Sequence, residues 1–290
     1  MDYLQTILLG IIQGLTEFLP ISSYGLLQFA EHTLRIQGST EFLNIALHAG
    51  TLITILLAMQ KDVARLCREA VRMIRDIFFN IRIMIRAAKA HEEPRFIHIV
   101  TSNYRQLVVL VLCATIPAGA VGFLLRRVAS VSYGQVMYSG IGMLLTGVLL
   151  LVADMVPAGN KIPKDITWKQ GILIGIIQGI SIISGISRMG LVLVCGILLG
   201  FNKRLAIRFS YLLSIPAILG AMITQVSKVP VILTTPRYAG TCLAGAVSAA
   251  LLGFLSIRAI SKFVRQRGLR LFAIWSFVLG IAIIAVSYVL

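Results

Sequence analysis

Residues 10 to 25 read GIIQGLTEFLPISSYG, and residues 175 to 190 read GIIQGISIISGISRMG, the same pattern 165 positions later. Eight of the sixteen positions are identical: the opening Gly-Ile-Ile-Gln-Gly, the pairs Ile21-Ser22 and Ile186-Ser187, and the closing Gly25 and Gly190. Both copies sit in apolar surroundings, and each is broken, by Pro20 in the first and Gly185 in the second. Each therefore reads as a short helix that ends in a polar knot and restarts as a second helix. The copies diverge in their charged residues: the first carries Glu17 with Ser22-Ser23, the second Arg188 beside Ser187. A duplicated, Gly- or Pro-interrupted apolar segment in each half of a membrane protein points to a binding site where the duplicates meet.

Composition supports the membrane reading. Mean hydropathy is +0.90, with 58% apolar and 13% charged residues, and the charges cluster between uncharged runs such as Gln106 to Leu125, Gln135 to Val152 and Leu271 to Leu290. Runs of that length cross a hydrocarbon core as helices. Backbone groups in lipid must be paired internally, and no barrel-like alternation is present, so the expected fold is an all-α polytopic membrane protein. The expected spans are 43–59, 107–125, 135–153, 206–224, 240–257 and 271–289, with polar-tipped re-entrant hairpins at 4–36 and 170–200. The first apolar run does not resemble a signal peptide: no basic residue precedes it, and it contains Glu17 and Pro20.

The net charge of +16 is mostly topological. If each hairpin enters and leaves on one side, one face receives 21 of the 27 Lys and Arg, and the other only Arg35, Arg126, Arg127, Lys228 and Arg237. The basic face is then cytoplasmic, both termini lie outside, and no nucleic-acid partner is expected. Three spans separate the copies, so they enter from opposite faces and the repeat is inverted. The expected organisation is one membrane domain over 1–290, with a first repeat of about 1–125 and a second of about 135–290.

A cytoplasmic basic amphipathic segment occupies about 60–106. Arg65, Arg68, Arg72, Arg75, Arg82 and Arg86 form one stripe, with Ile74, Ile77, Phe78, Ile81 and Ile85 around it. It suits either a helix on the anionic inner leaflet or a solvated helix with Glu69 and Asp76 as local partners. Cys67, Cys113, Cys195 and Cys242 have no disulfide or metal spacing and read as packing thiols.

The knots set backbone amides around Ser22, Ser23 and Tyr24, and around Ser187 and Arg188, at helix N-termini, which favour anions. Arg188 adds a charge able to grip phosphate through two parallel hydrogen bonds. An intramembrane cation needs a partner or a wet cavity. Glu17 is the natural counter-charge, and is equally suited to hold a divalent metal bridging to phosphate. Plainer roles stand beside these: a mutual ion pair for Glu17 and Arg188, helix capping for the serines, and hydrogen bonds between the hairpins for Gln13 and Gln178. Asn44 and His48 lie one turn apart on a helix face; His48 is either a packed hydrogen-bonder or a contributor to the site.

Gln13-Gly14-Leu15-Thr16-Glu17-Phe18-Leu19-Pro20-Ile21-Ser22-Ser23 resembles the first signature of the undecaprenyl-diphosphate phosphatases, the bacitracin-resistance family. Ser184-Gly185-Ile186-Ser187-Arg188-Met189-Gly190 is similar to its second. Ala46 to Leu52, Ala114 to Gly119 and Phe209 to Pro216 extend the resemblance over essentially the whole chain. The resemblance implies inverted repeats with re-entrant hairpins in a bacterial cytoplasmic (inner) membrane. It also implies removal of the terminal phosphate of undecaprenyl diphosphate, which recycles the lipid carrier of cell-wall synthesis. Mg²⁺ or Ca²⁺ is the implied cofactor, and a homodimer a candidate assembly. By resemblance Gln13 and Glu17 fill a motif tied to metal binding and catalysis, Ser23 a nucleophile or phosphate contact, and Ser187-Arg188 the phosphate-binding pair. The candidate set is thus Glu17, Ser23 and Arg188 for catalysis, Glu17 for metal, and Gln13, Ser22, Ser187, Gly25, Gly190 and His48 for substrate.

The chain also departs from the family pattern. Leu26 stands where the family has a His proposed as base, Ser184 replaces a Pro, Met189 a Ser, Asn44 a common carboxylate, and Arg208 a frequent Glu. General-base help is worth roughly 10²- to 10⁴-fold in rate. The alternative to a phosphatase is therefore a non-hydrolytic transporter of a polyprenyl phosphate or related anionic lipid, which needs no base.

Overall fold

The computed structural model describes residues 2–36, 40–133, 135–157, 159–226, 229 and 235–289; Lys228, assigned above to the outer face, lies outside them. The described chain is helical apart from turns and a single bridge between Lys161 and Phe201. The helices are α1 (Tyr3–Thr16), α2 (Ser23–Thr33), α3 (Glu41–Ala58), α4 (Gln60–Ala90), α5 (Asn103–Leu124), α6 (Arg126–Tyr133) and α7 (Val136–Met155), followed by α8 (Trp168–Ile180), α9 (Arg188–Leu198), α10 (Lys203–Val226), α11 (Pro236–Arg267) and α12 (Arg270–Ser287). Among the described residues six, α3, α5, α7, α10, α11 and α12, are long and apolar enough to cross a membrane. They coincide with the six spans read from the sequence. The protein is an all-α, multi-pass membrane protein.

Helix starts follow from local chemistry. Asp2 with Gln5 and Thr167 with Gln170 form capping boxes on the equivalent helices α1 and α8, each satisfying two amides that the helix cannot. Ser22 and Ser187 cap α2 and α9. Thr235 caps α11, with Pro236 in the first turn, where no N–H is needed.

The hairpin helices exchange partners across the molecule: α1 packs along α11, and α8 along α5. The shared glycines of the repeat make both contacts. A Cβ at Gly10 would collide with the carbonyl of Gly245, and one at Gly14 with that of Ala249. In the second copy, Gly175 lies equally tight against the carbonyl of Ala114, and Gly179 against the side chain of Val121 and the carbonyl of Ala118, all on α5. Small residues four apart let backbones approach where lipid supplies no hydrophobic drive, so dispersion holds the pair. The glycines of the opening Gly-Ile-Ile-Gln-Gly are therefore packing residues.

α4 breaks from α3 at Met59, ends at His91 in the left-handed conformation, and docks on the start of α5 through polar contacts. Arg105 reaches Glu69 (3.0 Å) and Asp76 (2.8 Å), while Asp62 accepts from Tyr104 and takes both nitrogens of Arg208 at 2.9 and 2.6 Å. Glu69 and Asp76 are thus partners of α5 as well as of their own helix. The Arg105 guanidinium, through its hydrogen bond, holds the Glu69 carboxyl below the usual carboxylate range. Arg208, where a Glu is frequent in the resembled family, is explained by this pairing with Asp62. Among the cysteines, Cys195 and Cys242 are buried, whereas Cys67 is exposed on α4.

Candidate active site

The turns of the two hairpins meet. Gly25, at the third position of α2, lies against Gly185 of the other turn, 3.1 Å from where a Cβ would sit. Gly190, the equivalent residue of α9, lies likewise 3.2 Å from the carbonyl oxygen of Pro20. Gly185 itself has φ +81 and faces the carbonyl of Ser139, so a side chain there is barred both by conformation and by space. Gly25 and Gly190, expected at the substrate, make the reciprocal contact between the tips.

A small cleft opens at this junction, lined by Glu17, Ser22, Ser23 and Tyr24 from the first hairpin and Ser181, Ser187, Arg188 and Met189 from the second, with Ile21 and Ile186 as apolar walls. Ser23 and Arg188 are the first residues of α2 and α9, so both side chains stand beside the outward-pointing amides of a helix start. Ser22 and Ser187, both buried, accept from the amides of Gly25 (3.1 Å) and Gly190 (3.0 Å). Their capping role is therefore occupied structure, and what they offer a ligand is the remaining hydroxyl proton.

Glu17 is the hub. Its Oε2 accepts from Ser23 Oγ at 2.6 Å and from Gln13 Nε2 at 3.0 Å, and its Oε1 pairs with Arg188 Nη1 at 3.4 Å. The Glu17 side chain is 5% exposed and that of Arg188 25%, so the carboxylate is sealed and the guanidinium faces the cleft. Gln13 Nε2 also lies 3.2 Å from His48 Nδ1. Two amide protons serve two acceptors, which leaves the proton of a neutral His48 on Nε2. Gln13 and His48 thus stand behind Glu17, within reach of its carboxylate through Gln13. Gln178 donates to the carbonyl of Leu213 at 3.4 Å. Each Gln therefore ties its hairpin to another helix, α3 or α10, and neither hydrogen-bonds the opposite hairpin. Asn44 is buried on the His48 face and its Nδ2 donates to Thr40.

Several supporting residues were not legible in the motifs. Thr146 of α7 accepts from the Ser187 amide at 3.1 Å and donates to the carbonyl of Gly142 at 2.9 Å. Ser184 is the hub of a second network: its hydroxyl donates to Gln28 Oε1 at 2.7 Å, its amide to Ser132 Oγ at 3.2 Å, and Ser139 Oγ donates to the same Gln28 oxygen at 2.6 Å. Gln28 Nε2 donates to the carbonyl of Tyr133, whose hydroxyl donates to the carbonyl of Ile182. A Pro at 184 would lack the amide proton this network uses, so the substitution is accompanied by its own compensation. Tyr24 stacks on Tyr133 with ring centroids 4.6 Å apart at the edge of the cleft. The only signal for these groups was a lone polar residue in an apolar run, which also marks ordinary helix–helix hydrogen bonds.

Among the described residues no three His, Cys, Asp or Glu side chains converge in a metal cage. The site offers Glu17 and the buried Oε1 of Gln13, which has no hydrogen-bond partner. One carboxylate and one amide oxygen fit Mg²⁺ or Ca²⁺ only when substrate phosphate completes the coordination, as is usual for Mg²⁺.

Comparison with known proteins identifies the family. Residues 6–282 match the family described as bacitracin resistance protein BacA. An undecaprenyl-diphosphatase of Alkaliphilus metalliredigens is 35% identical over 288 residues, covering 99% of each chain. One of Methanosphaera stadtmanae is 34% identical over 290 residues, covering 100% of each, and undecaprenyl-diphosphatase 4 of Bacillus thuringiensis is 31% identical, covering 99% of this chain and 98% of its own. With its hairpin signatures brought together at one cleft and its whole length matched, the chain belongs to the bacitracin resistance protein (BacA) family.

Proposed function

We propose that the protein hydrolyses undecaprenyl diphosphate to undecaprenyl phosphate and inorganic phosphate, recycling the lipid carrier used in cell-wall synthesis. The observation that carries the reading is the 2.6 Å hydrogen bond from Ser23 Oγ to Glu17 Oε2 beside Arg188. A hydroxyl aimed at a sealed carboxylate next to a half-open guanidinium is a nucleophile, a base and a phosphate grip in one cleft. Full-length similarity to undecaprenyl-diphosphatases supports the substrate and disfavours the transporter alternative.

Arg188 and the first amides of α2 and α9 hold the terminal phosphate and stabilise charge on its non-bridging oxygens. Ser23 Oγ attacks the terminal phosphorus while Glu17 takes its proton. The bond from that phosphorus to the bridging oxygen breaks, and undecaprenyl phosphate leaves. Glu17 passes that proton to the departing phosphate oxygen, then takes one from the water that attacks the phosphoserine and returns it to Ser23 Oγ as the P–Oγ bond breaks and phosphate is released. Gln13, braced by His48, keeps the Glu17 carboxylate turned towards Ser23. Glu17 thus fills the base role that Leu26 cannot. Glu17, with Gln13 Oε1 behind it, would hold a Mg²⁺ or Ca²⁺, which would supply further charge neutralisation.

The two hairpins are re-entrant halves of an inverted repeat, consistent with the exchange of α1 and α8 onto the opposite halves. The basic face is cytoplasmic, in the cytoplasmic membrane, with both termini outside. Phosphate release from undecaprenyl diphosphate by the purified protein in detergent tests the reading. Turnover with wild type and none with Glu17→Gln supports it. Wild-type release no greater than that of Glu17→Gln refutes it, and full activity of Ser23→Ala reassigns the attack to water.

A further inference from the structure

The helix α4 carries three stripes with three different destinations. Its protein-facing edge is Asp62, Leu66, Glu69, Met73, Asp76 and Asn80, alternating four and three residues apart, which keeps one line on a helix. Asp62, Glu69 and Asp76 are bound by Tyr104, Arg208 and Arg105, Met73 is buried, and Asn80 exchanges two hydrogen bonds of 2.9 and 2.8 Å with the backbone of Ile97. These contacts lock the rotation of α4 about its axis.

With that edge locked, two faces remain outside. One is apolar: Val71, Ile74, Phe78, Ile81 and Ile85 are 66, 55, 62, 42 and 49% exposed. The other, roughly a third of the way round the helix, carries Arg65, Arg68, Arg72, Arg75, Arg82 and Arg86, with the side chains of Arg72 and Arg75 56 and 75% exposed. α4 is joined directly to one apolar span, α3, and clamped to the first residues of another, α5, which holds it at the ends of two membrane spans. A helix with such faces lies in an interface, its apolar side in the acyl boundary and its cations among anionic headgroups.

We infer that α4 is a docking surface for an anionic lipid bilayer, lying along the membrane and not projecting into solvent. The acidic edge, invisible as such in a count of charges, is the device that turns the apolar face to the lipid.

The test places one Trp at a time in a Trp168→Phe, Trp275→Phe background, reconstituted into bilayers with brominated acyl chains. Leu112→Trp on the α5 span reports correct insertion. In bilayers containing phosphatidylglycerol, Phe78→Trp is expected to emit to the blue and lose most of its intensity to bromine, while Arg72→Trp, on the basic face, does neither. Replacing phosphatidylglycerol by phosphatidylcholine is expected to weaken the quenching at 78 and leave 112 unchanged. Water-like emission at 78 overturns the inference. Emission that is blue but unquenched overturns it in favour of a protein partner or second copy, and equal quenching in both lipids overturns the anionic requirement.

Discussion

The two hairpins share their sequence frame and divide the chemistry. Gly10 and Gly175, and Gly14 and Gly179, bring the first helix of each onto a neighbouring helix. Ser22 and Ser187 cap the second helices, and Gly25 and Gly190 touch the opposite turns. Two equivalent positions break the symmetry. Position 17 is Glu where position 182 is Ile, and position 23 is Ser where position 188 is Arg. In the proposed mechanism one hairpin therefore holds base and nucleophile and the other the phosphate grip, and each of these groups is the first residue of its helix or that residue's partner. The repeat supplies a pair of capped helix starts at one cleft, and these two positions give the cleft its carboxylate, hydroxyl and guanidinium. The comparison also explains Leu26, whose equivalent in the second copy is Leu191. Both are apolar packing residues next to the core.

The largest effects should come from erasing the asymmetry. Arg188→Ala should lower phosphate release by about 10³-fold, the scale of losing a preorganised charge-stabilising group. It should also destabilise the tip by about 3 kcal/mol, because Glu17 is left buried without its partner. Ser23→Ala leaves the ion pair intact, so a comparable loss of turnover with unchanged thermal unfolding separates chemistry from folding.

Erasing the symmetry should act on stability instead. Gly10→Ala and Gly175→Ala should each cost about 1–3 kcal/mol through overpacking against a carbonyl. By contrast, Gly119→Ala on α5, which meets nothing within 4 Å, should be neutral or gain up to about 1 kcal/mol from helix propensity. Thermal unfolding in detergent checks all three, and tolerance at one of the paired glycines alone would break the equivalence of the hairpins.

A smaller effect is expected at the second turn. Gln28→Leu strips the acceptor shared by Ser139 and Ser184, and one unsatisfied buried group costs about 1–3 kcal/mol. As the loosened turn carries Arg188, KM should rise more than kcat falls, and Gln28→Glu, which keeps an acceptor, should recover part of the loss. The smallest change is expected for Leu26→His. With Glu17 as base, release should shift by less than about tenfold, whereas a gain approaching 10²-fold, the lower range of general-base help, would show that the position was a vacated base.

Much of this was legible in the linear chain. Uncharged runs long enough to span a membrane become helices because no other open structure satisfies their backbone in lipid, and all six appear where their hydropathy puts them. The polar knots at Glu17–Ser23 and Ser187–Arg188 were legible as well, because Pro20, Gly185 and charged residues are costly at that depth and stand out. Ser132, Ser139, Thr146 and Ser184 did not stand out, since a lone hydroxyl in an apolar run bonds its own helix as readily as a distant one. Hydrogen bonds between the hairpins, one of the roles open to Gln13 and Gln178 in the sequence, do not form, because the exchange of helices sends each glutamine to a different partner.

By itself the sequence determined the class of fold, the hairpins and the residue types able to handle phosphate, since these depend on local periodicity, capping and the cost of charge in lipid. Only the tertiary structure decided that the conserved-looking glycines pack helices, that Ser23 is aimed at Glu17, and that α4 turns its apolar face outward. Those outcomes depend on which backbone lies opposite, and long-range packing, not local chemistry, chooses it.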